Sequence, residues 1–137
     1  MQIKKFDQVL HDKYDPPARE AITKWAKKSW GLDCVGNPDK YGIDLVAYRD
    51  GVQVGYIEVE VRTWNPCPFD TIHVPKRKLE MLELPNALFF ALTEDLSHAY
   101  WIKGIEVFAF KTVEVKKDNF HEAYYDVPKS LFKYVKL

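Results

Sequence analysis

The stretch YGIDLVAYRDGVQVGYIEVEVRTW, residues 41–64, constrains this chain more than any other. It reads as two strands joined at Asp50-Gly51. Side chains alternate between the faces of a strand. On the first strand Ile43, Leu45 and Ala47 share one face, and Asp44, Val46 and Tyr48 share the other. On the second, Ile57, Val59 and Val61 oppose Tyr56, Glu58, Glu60 and Arg62. Three carboxylates, Asp44, Glu58 and Glu60, thus fall in the body of the hairpin rather than at its ends.

Register decides whether those acids meet. A three-residue loop with glycine in the left-handed position sets even-numbered residues opposite even-numbered ones. Asp44 then faces Glu58, directly or diagonally. A two-residue Asp-Gly loop shifts the register by one and separates them. The apolar pattern favours the first arrangement, because it stacks Ile43, Leu45, Ile57 and Val59 on one face.

The elements around the hairpin define a fold class. DPPAREAITKWAKKSWG predicts a helix with Asp15 as cap, prolines in its first turn and Gly31 at its stop. Ala18, Ala21, Ile22, Trp25, Ala26 and Trp30 form its apolar stripe, with Glu20 at the stripe's edge. LDCV is a short strand and GNPDKYG a loop. After NPCPFD comes an extended TIHV, then a helix over PKRKLEMLEL. NALFFALTED is a buried strand, because it is almost wholly apolar, and HAYWIKG is another. The tail IEVFAFKTVEVKKDN alternates like one or two edge strands, and VPKSLFKYV predicts a closing short helix. The expectation is an α/β (α+β) fold, a mixed sheet flanked by helices in the order α-β-β-β-α-β-β, with C-terminal strands and a short helix.

Composition narrows the function. The 137 residues suffice for one domain, expected over 1–137, and the 47% apolar content argues for a folded core. Lys plus Arg and Asp plus Glu number 20 each, so bulk charge does not drive nucleic-acid coating. Cys34 and Cys67 are too few for a disulfide scaffold or a four-cysteine zinc site and read as free thiols. No apolar run approaches the ~20 residues a membrane helix needs. A cytoplasmic location without membrane association is expected.

Facing carboxylates repel, and a cation relieves them. Mg²⁺ (or Mn²⁺) takes one or two carboxylates and completes its shell with water. Asp44, Glu58 and the backbone carbonyl of Val59 would hold such an ion. Glu60 points the same way about 6–7 Å further along the strand, and Glu20 would approach from the first helix. Such a site activates water and stabilises the leaving oxygen of a phosphodiester. The plain alternative is a solvated acidic face.

Element order and the spacing from Asp44, across thirteen residues, to Glu58-Val59-Glu60 resemble the core of the PD-(D/E)XK nuclease superfamily. The resemblance covers roughly residues 16–103 and leaves 104–137 as an extension. It implies a restriction-endonuclease-like or Holliday-junction-resolvase-like core and a Mg²⁺-dependent deoxyribonuclease. By position it implies metal binding by Asp44 and Glu58, assisted by Glu20. One departure stands out. The third-strand motif of that family usually ends in Lys, and this chain has Glu60. Arg62, Lys76 and Lys78 are cations that would substitute.

Lys76, Arg77 and Lys78 crowd the start of the second helix, where cations gain nothing from the helix dipole. With Arg62 and His73 they are candidate DNA contacts. Their alternative is a solvated helix face, as it is for Lys24, Lys27 and Lys28. His73 reads either as a proton shuttle or as a structural histidine. Trp64 and Tyr41 flank the hairpin and would stack on a base or pack at its rim. His11, His98 and His121 show no zinc spacing. The functional expectation is an endonuclease on duplex or branched DNA, structure-directed or weakly sequence-specific, acting as a homodimer. The alternative is a nuclease-fold module that binds nucleic acid or a protein without cutting.

Overall fold

The computed structural model describes residues 8–39, 42–117 and 120–137, with the side chains of 8–15, 117, 120 and 121 outside that description. Tyr41 and the side chains of Asp15, His11 and His121 therefore lie outside the described residues.

Helix α1 spans Gln8–Trp30. Ala18, Ile22 and Ala26 recur every four residues and are fully buried, which fixes its inner face. It begins earlier than the sequence suggested, so Pro16 and Pro17 lie inside it and not in its first turn. Each proline removes one helical hydrogen bond there. Gly31 ends the helix with φ of 69°, and the amides of Gly31 and Leu32 donate back to Lys27 and Ala26.

Next come β1 (Asp33–Gly36), β2 (Leu45–Arg49) and β3 (Val52–Val61). The β2–β3 turn departs from expectation. Arg49 pairs with Val52 across a two-residue Asp50-Gly51 turn, with φ of 51° and 80°. The ladder then steps over Val54, so that Ala47 pairs with Gly55 and Leu45 with Ile57. This bulge restores the odd-to-odd and even-to-even pairing of the rest of the hairpin. The expected register holds, reached by a turn and a bulge in place of a longer loop.

β4 (Thr71–Pro75) leads into a 3₁₀ turn, Lys76–Lys78, and a one-turn helix α2, Leu79–Leu82. The long second helix expected over PKRKLEMLEL is thus a short tandem of the two. β5 (Ala87–Leu92) and β6 (His98–Lys103) follow, then α3 (Gly104–Val107), β7 (Thr112–Lys117) and β8 (Phe120–Pro128). The expected closing helix is a 3₁₀ turn, Lys129–Leu131, before β9 (Lys133–Lys136).

The main sheet has the order β1-β2-β3-β5-β6-β9, with β3 and β5 parallel. The second sheet has the order β4-β8-β7. One face of the main sheet lies under α1, where Ala18 and Ile22 meet Leu45, Ile57, Val59, Phe90 and Leu92. On its other face Phe89, Ala91, Tyr100 and Ile102 pack with Ile72, Val74, Tyr125 and Val127 of the small sheet. β5 is covered on both sides, which explains its apolar run ALFFAL. The architecture is mixed α/β with few helices. No helix among the described residues is long and apolar enough to cross a membrane.

Candidate active site

The register places Asp44 one step beyond the β2–β3 ladder, level with Glu58. The two acids interlock through backbone amides. The Asp44 N–H donates to Glu58 Oε1 at 3.2 Å, and the Val59 N–H donates to Asp44 Oδ2 at 2.8 Å. Each carboxylate also holds a cation. Arg19 Nη2 donates to Asp44 Oδ1 at 2.8 Å, and Lys78 Nζ lies 2.5 Å from Glu58 Oε2.

Glu58 lies on the face that carries Phe89, its partner in β5, beneath the small sheet. Only 4% of it is exposed. Its carboxyl is raised to about 7: burial pushes it up most, Lys78 pulls it down, and Asp44 pushes it up. Lys78 is likewise buried. Burial alone would lower its pKa, yet Glu60 and Glu58 together raise it, so its ammonium stays charged.

Glu60 is two residues along the same face. Its Oε2 stands 3.5 Å from Lys78 Nζ, and its Oε1 stands 2.6 Å from Arg62 Nε. Burial would raise its pKa, but Arg62, Lys78 and Arg77 outweigh that and hold it below the ordinary range. Arg62 also donates through Nη2 to the His73 carbonyl. Lys78 thus bridges the two acids of β3, and Arg62 ties β3 to β4.

The remaining sequence candidates divide. His73 Nε2 lies 3.2 Å from Asp126 Oδ1, and the ring stacks on Tyr124. Arg77 Nε donates to Glu122 Oε2 at 3.2 Å, and Lys76 is exposed. Tyr124 is pushed up to about 12 by burial and by Glu122. Glu20 does not join the acids: its side chain is 66% exposed and pairs with Lys24 at 3.0 Å. The reason is helical geometry. The buried line runs through Ala18, Ile22 and Ala26, and residue 20 lies about 160° around the helix from Ala18. Arg19 flanks that line and reaches Asp44. Sequence reasoning missed Arg19, although the same 18-22-26 spacing marks it as the nearer neighbour of the sheet. It also missed Glu122, Tyr124 and Asp126, which share one face of β8 and come to His73 and Arg77 only through long-range pairing.

Asp44 and Glu58 are the residues here that could hold a divalent cation. Each of the four oxygens of Asp44 and Glu58 takes one donor, and a carboxylate oxygen has a second lone pair. Burial of Glu58 outweighs the Lys78 ammonium, so its carboxyl stays raised. Among the described residues no group of three or more His, Cys, Asp or Glu side chains is arranged to hold a metal. Two carboxylates with water completing the shell is the coordination Mg²⁺ favours.

No family model matches the chain, and no curated protein matches it in sequence. Solved structures do match. A nuclease from a fusselovirus has a TM-score of 0.52 at 16% identity, over 95% of this chain and 89% of that one. Hjc, a Holliday junction resolvase from Archaeoglobus fulgidus, has a TM-score of 0.49 at 10% identity, over 85% of this chain and 87% of that one. At 16% identity the likeness to the viral nuclease is one of fold.

Proposed function

We propose that the chain is a metal-dependent endonuclease that hydrolyses DNA phosphodiester bonds. The observation that carries this reading is the interlocked Asp44–Glu58 pair with Lys78 buried against it, on a fold shared with a viral nuclease. Asp44 and Glu58 are the residues that would hold Mg²⁺ or Mn²⁺. The ion, when bound, lowers the pKa of a water and offsets charge on the phosphate.

The chain's own groups do the rest. Arg19 and the Val59 amide hold the Asp44 carboxylate in one orientation. Lys78 supplies the ammonium that Glu60 displaced from the third strand, so the positive charge arrives from the following 3₁₀ turn. Arg62 fixes Glu60 and thereby the far side of Lys78. His73, Lys76 and Arg77 border the site as phosphate contacts. A second copy would bring the second site that cutting both strands requires.

A second reading has its own support. Arg19 and Lys78 already neutralise both acids, which suits a nuclease fold that binds nucleic acid without cutting. Cleavage of duplex, branched and single-stranded DNA with Mg²⁺ or Mn²⁺ separates the two. The expected result is metal-dependent cutting that falls at least ~100-fold in Asp44→Asn and Lys78→Met. Folded protein that binds DNA but cuts none of the three with either metal selects the binding module.

A further inference from the structure

A second feature lies across the sheet from the acids. Glu60 pairs with Ala91, Ala91 with Tyr100, and Tyr100 with Tyr134. Directly paired residues share a face, so these four form one row from β3 to β9. Three strand spacings put Tyr134 about 14 Å from Glu60.

The far end of this row is aromatic and partly open. Tyr134 is 49% exposed. Its ring lies 4.5 Å from Tyr100 and 5.0 Å from His98, nearly parallel to the latter. Tyr100 is itself fixed: Trp64 meets it edge-on at 5.3 Å, and its hydroxyl accepts the Cys67 N–H at 3.2 Å. A cleft of ≈ 470 Å³ opens beside these rings, walled by Tyr100, Tyr134, Phe132, Lys129, Ser130 and Asp70. Lys129 is anchored by its bond to the Cys67 carbonyl, and Lys136 pairs with His98 in the ladder. Phe69, 60% exposed, is a neighbour of Asp70 in the same loop.

We infer that this cleft is a stacking subsite for an unpaired nucleobase of the DNA, with Tyr134 as its platform. The inference deepens the proposed function and rests on it for the identity of the polymer. A flat, half-exposed ring held by neighbouring rings loses little freedom on binding, and every base has a π-face to offer it. Lys129 and Lys136 supply charge for the flanking phosphates, and Asp70 and Ser130 supply hydrogen-bonding groups for a base edge. The substrate class this defines is DNA with a splayed or single-stranded segment that reaches this end of the sheet.

Binding of a fully paired duplex is compared with the same duplex bearing a short single-stranded tail, by fluorescence anisotropy in EDTA, where no cleavage occurs. Wild type binds the tailed form about 5- to 100-fold more tightly, the range one base–aromatic stack spans. Tyr134→Leu keeps an apolar side chain on the strand and loses that preference, while Tyr134→Phe keeps it. Duplex affinity is the same in all three. A 2-aminopurine in the tail is quenched by wild type and not by Tyr134→Leu. Equal affinity of wild type for the two DNAs, or an undiminished preference in Tyr134→Leu, overturns the subsite and leaves metal-dependent cleavage untouched. Loss of cleavage in the earlier assay with the tail preference intact overturns the nuclease reading and leaves the subsite standing.

Discussion

Lys78 is the residue on which the acid centre turns. Removing one partner of a buried ion pair strands the other, at a cost of about 3–5 kcal/mol when the survivor cannot neutralise itself. Glu58 can neutralise itself, so the cost depends on pH. Its folded pKa is raised above the unfolded value of 4.5 to about 7. Its contribution to stability is therefore complete below 4.5 and is lost as pH rises through about 7. Lys78 is raised as well, and its contribution is constant below its unfolded value of 10.5. Lys78→Ala takes away the one group that pulls Glu58 down by direct pairing, so the Glu58 pKa climbs further. Urea unfolding of that variant should show a loss of about 1 kcal/mol near pH 5 and about 3 kcal/mol near pH 8. Equal losses at the two pH values would mean that Glu58 does not carry the effect. Metal affinity should follow the same titration in the wild type. Protons compete for Glu58, so calorimetric Mg²⁺ affinity should rise with pH up to about 7 and level off above it.

At the scale of elements, the site depends on how α2 is seated. Gly104 opens α3 against the end of α2, and a Cβ added there would stand 2.4 Å from the Leu82 backbone oxygen. Backbone cannot rotate away as a side chain can, so α2 must shift, and Lys78 directly precedes it. Gly104→Ala should lower stability by about 1–3 kcal/mol in urea melts and reduce cleavage in parallel. An unchanged midpoint would show that the α2–α3 contact has slack. The hairpin itself was legible in the sequence because a period of two leaves a residue only two faces, and the apolar set could occupy only one of them. Its turn was not, because Val54 absorbs the odd residue, and the local signal, Gly55 inside the strand pattern, fits a close backbone approach as well as a bulge. Glu20 falls away from the acids because Ala21, beside it in the apolar stripe, is only partly buried, whereas Ala18 and Ile22 are fully buried. The small sheet was illegible for another reason. β4 and β8 pair across some fifty residues, and neither TIHV nor FHEAYYDVP shows in its own pattern what will cover it.

For the molecule as a whole, charge balance limits the DNA binding that the proposed function requires. Twenty basic residues meet twenty acidic ones, so no net field draws in a polyanion. Around the acid centre the same balance holds locally. Arg19, Arg62, Arg77 and Lys78 already hold Asp44, Glu60, Glu122 and Glu58. A phosphate must compete with those carboxylates, and each exchange of partner releases no counterion from the protein's side. Contacts from exposed lysines such as Lys76 and Lys136 remain. Each phosphate neutralised contributes about 0.9 to the slope of log affinity against log salt on duplex DNA. Three or four such contacts give a slope of about −3, measured by titrating binding between 50 and 200 mM salt with the metal chelated. A slope steeper than about −6 would require a basic surface that the charge pairing around this site does not leave. A shallow slope would instead locate the affinity in the metal, in stacking and in shape. Recognition would then favour distorted or partly unpaired DNA over plain duplex.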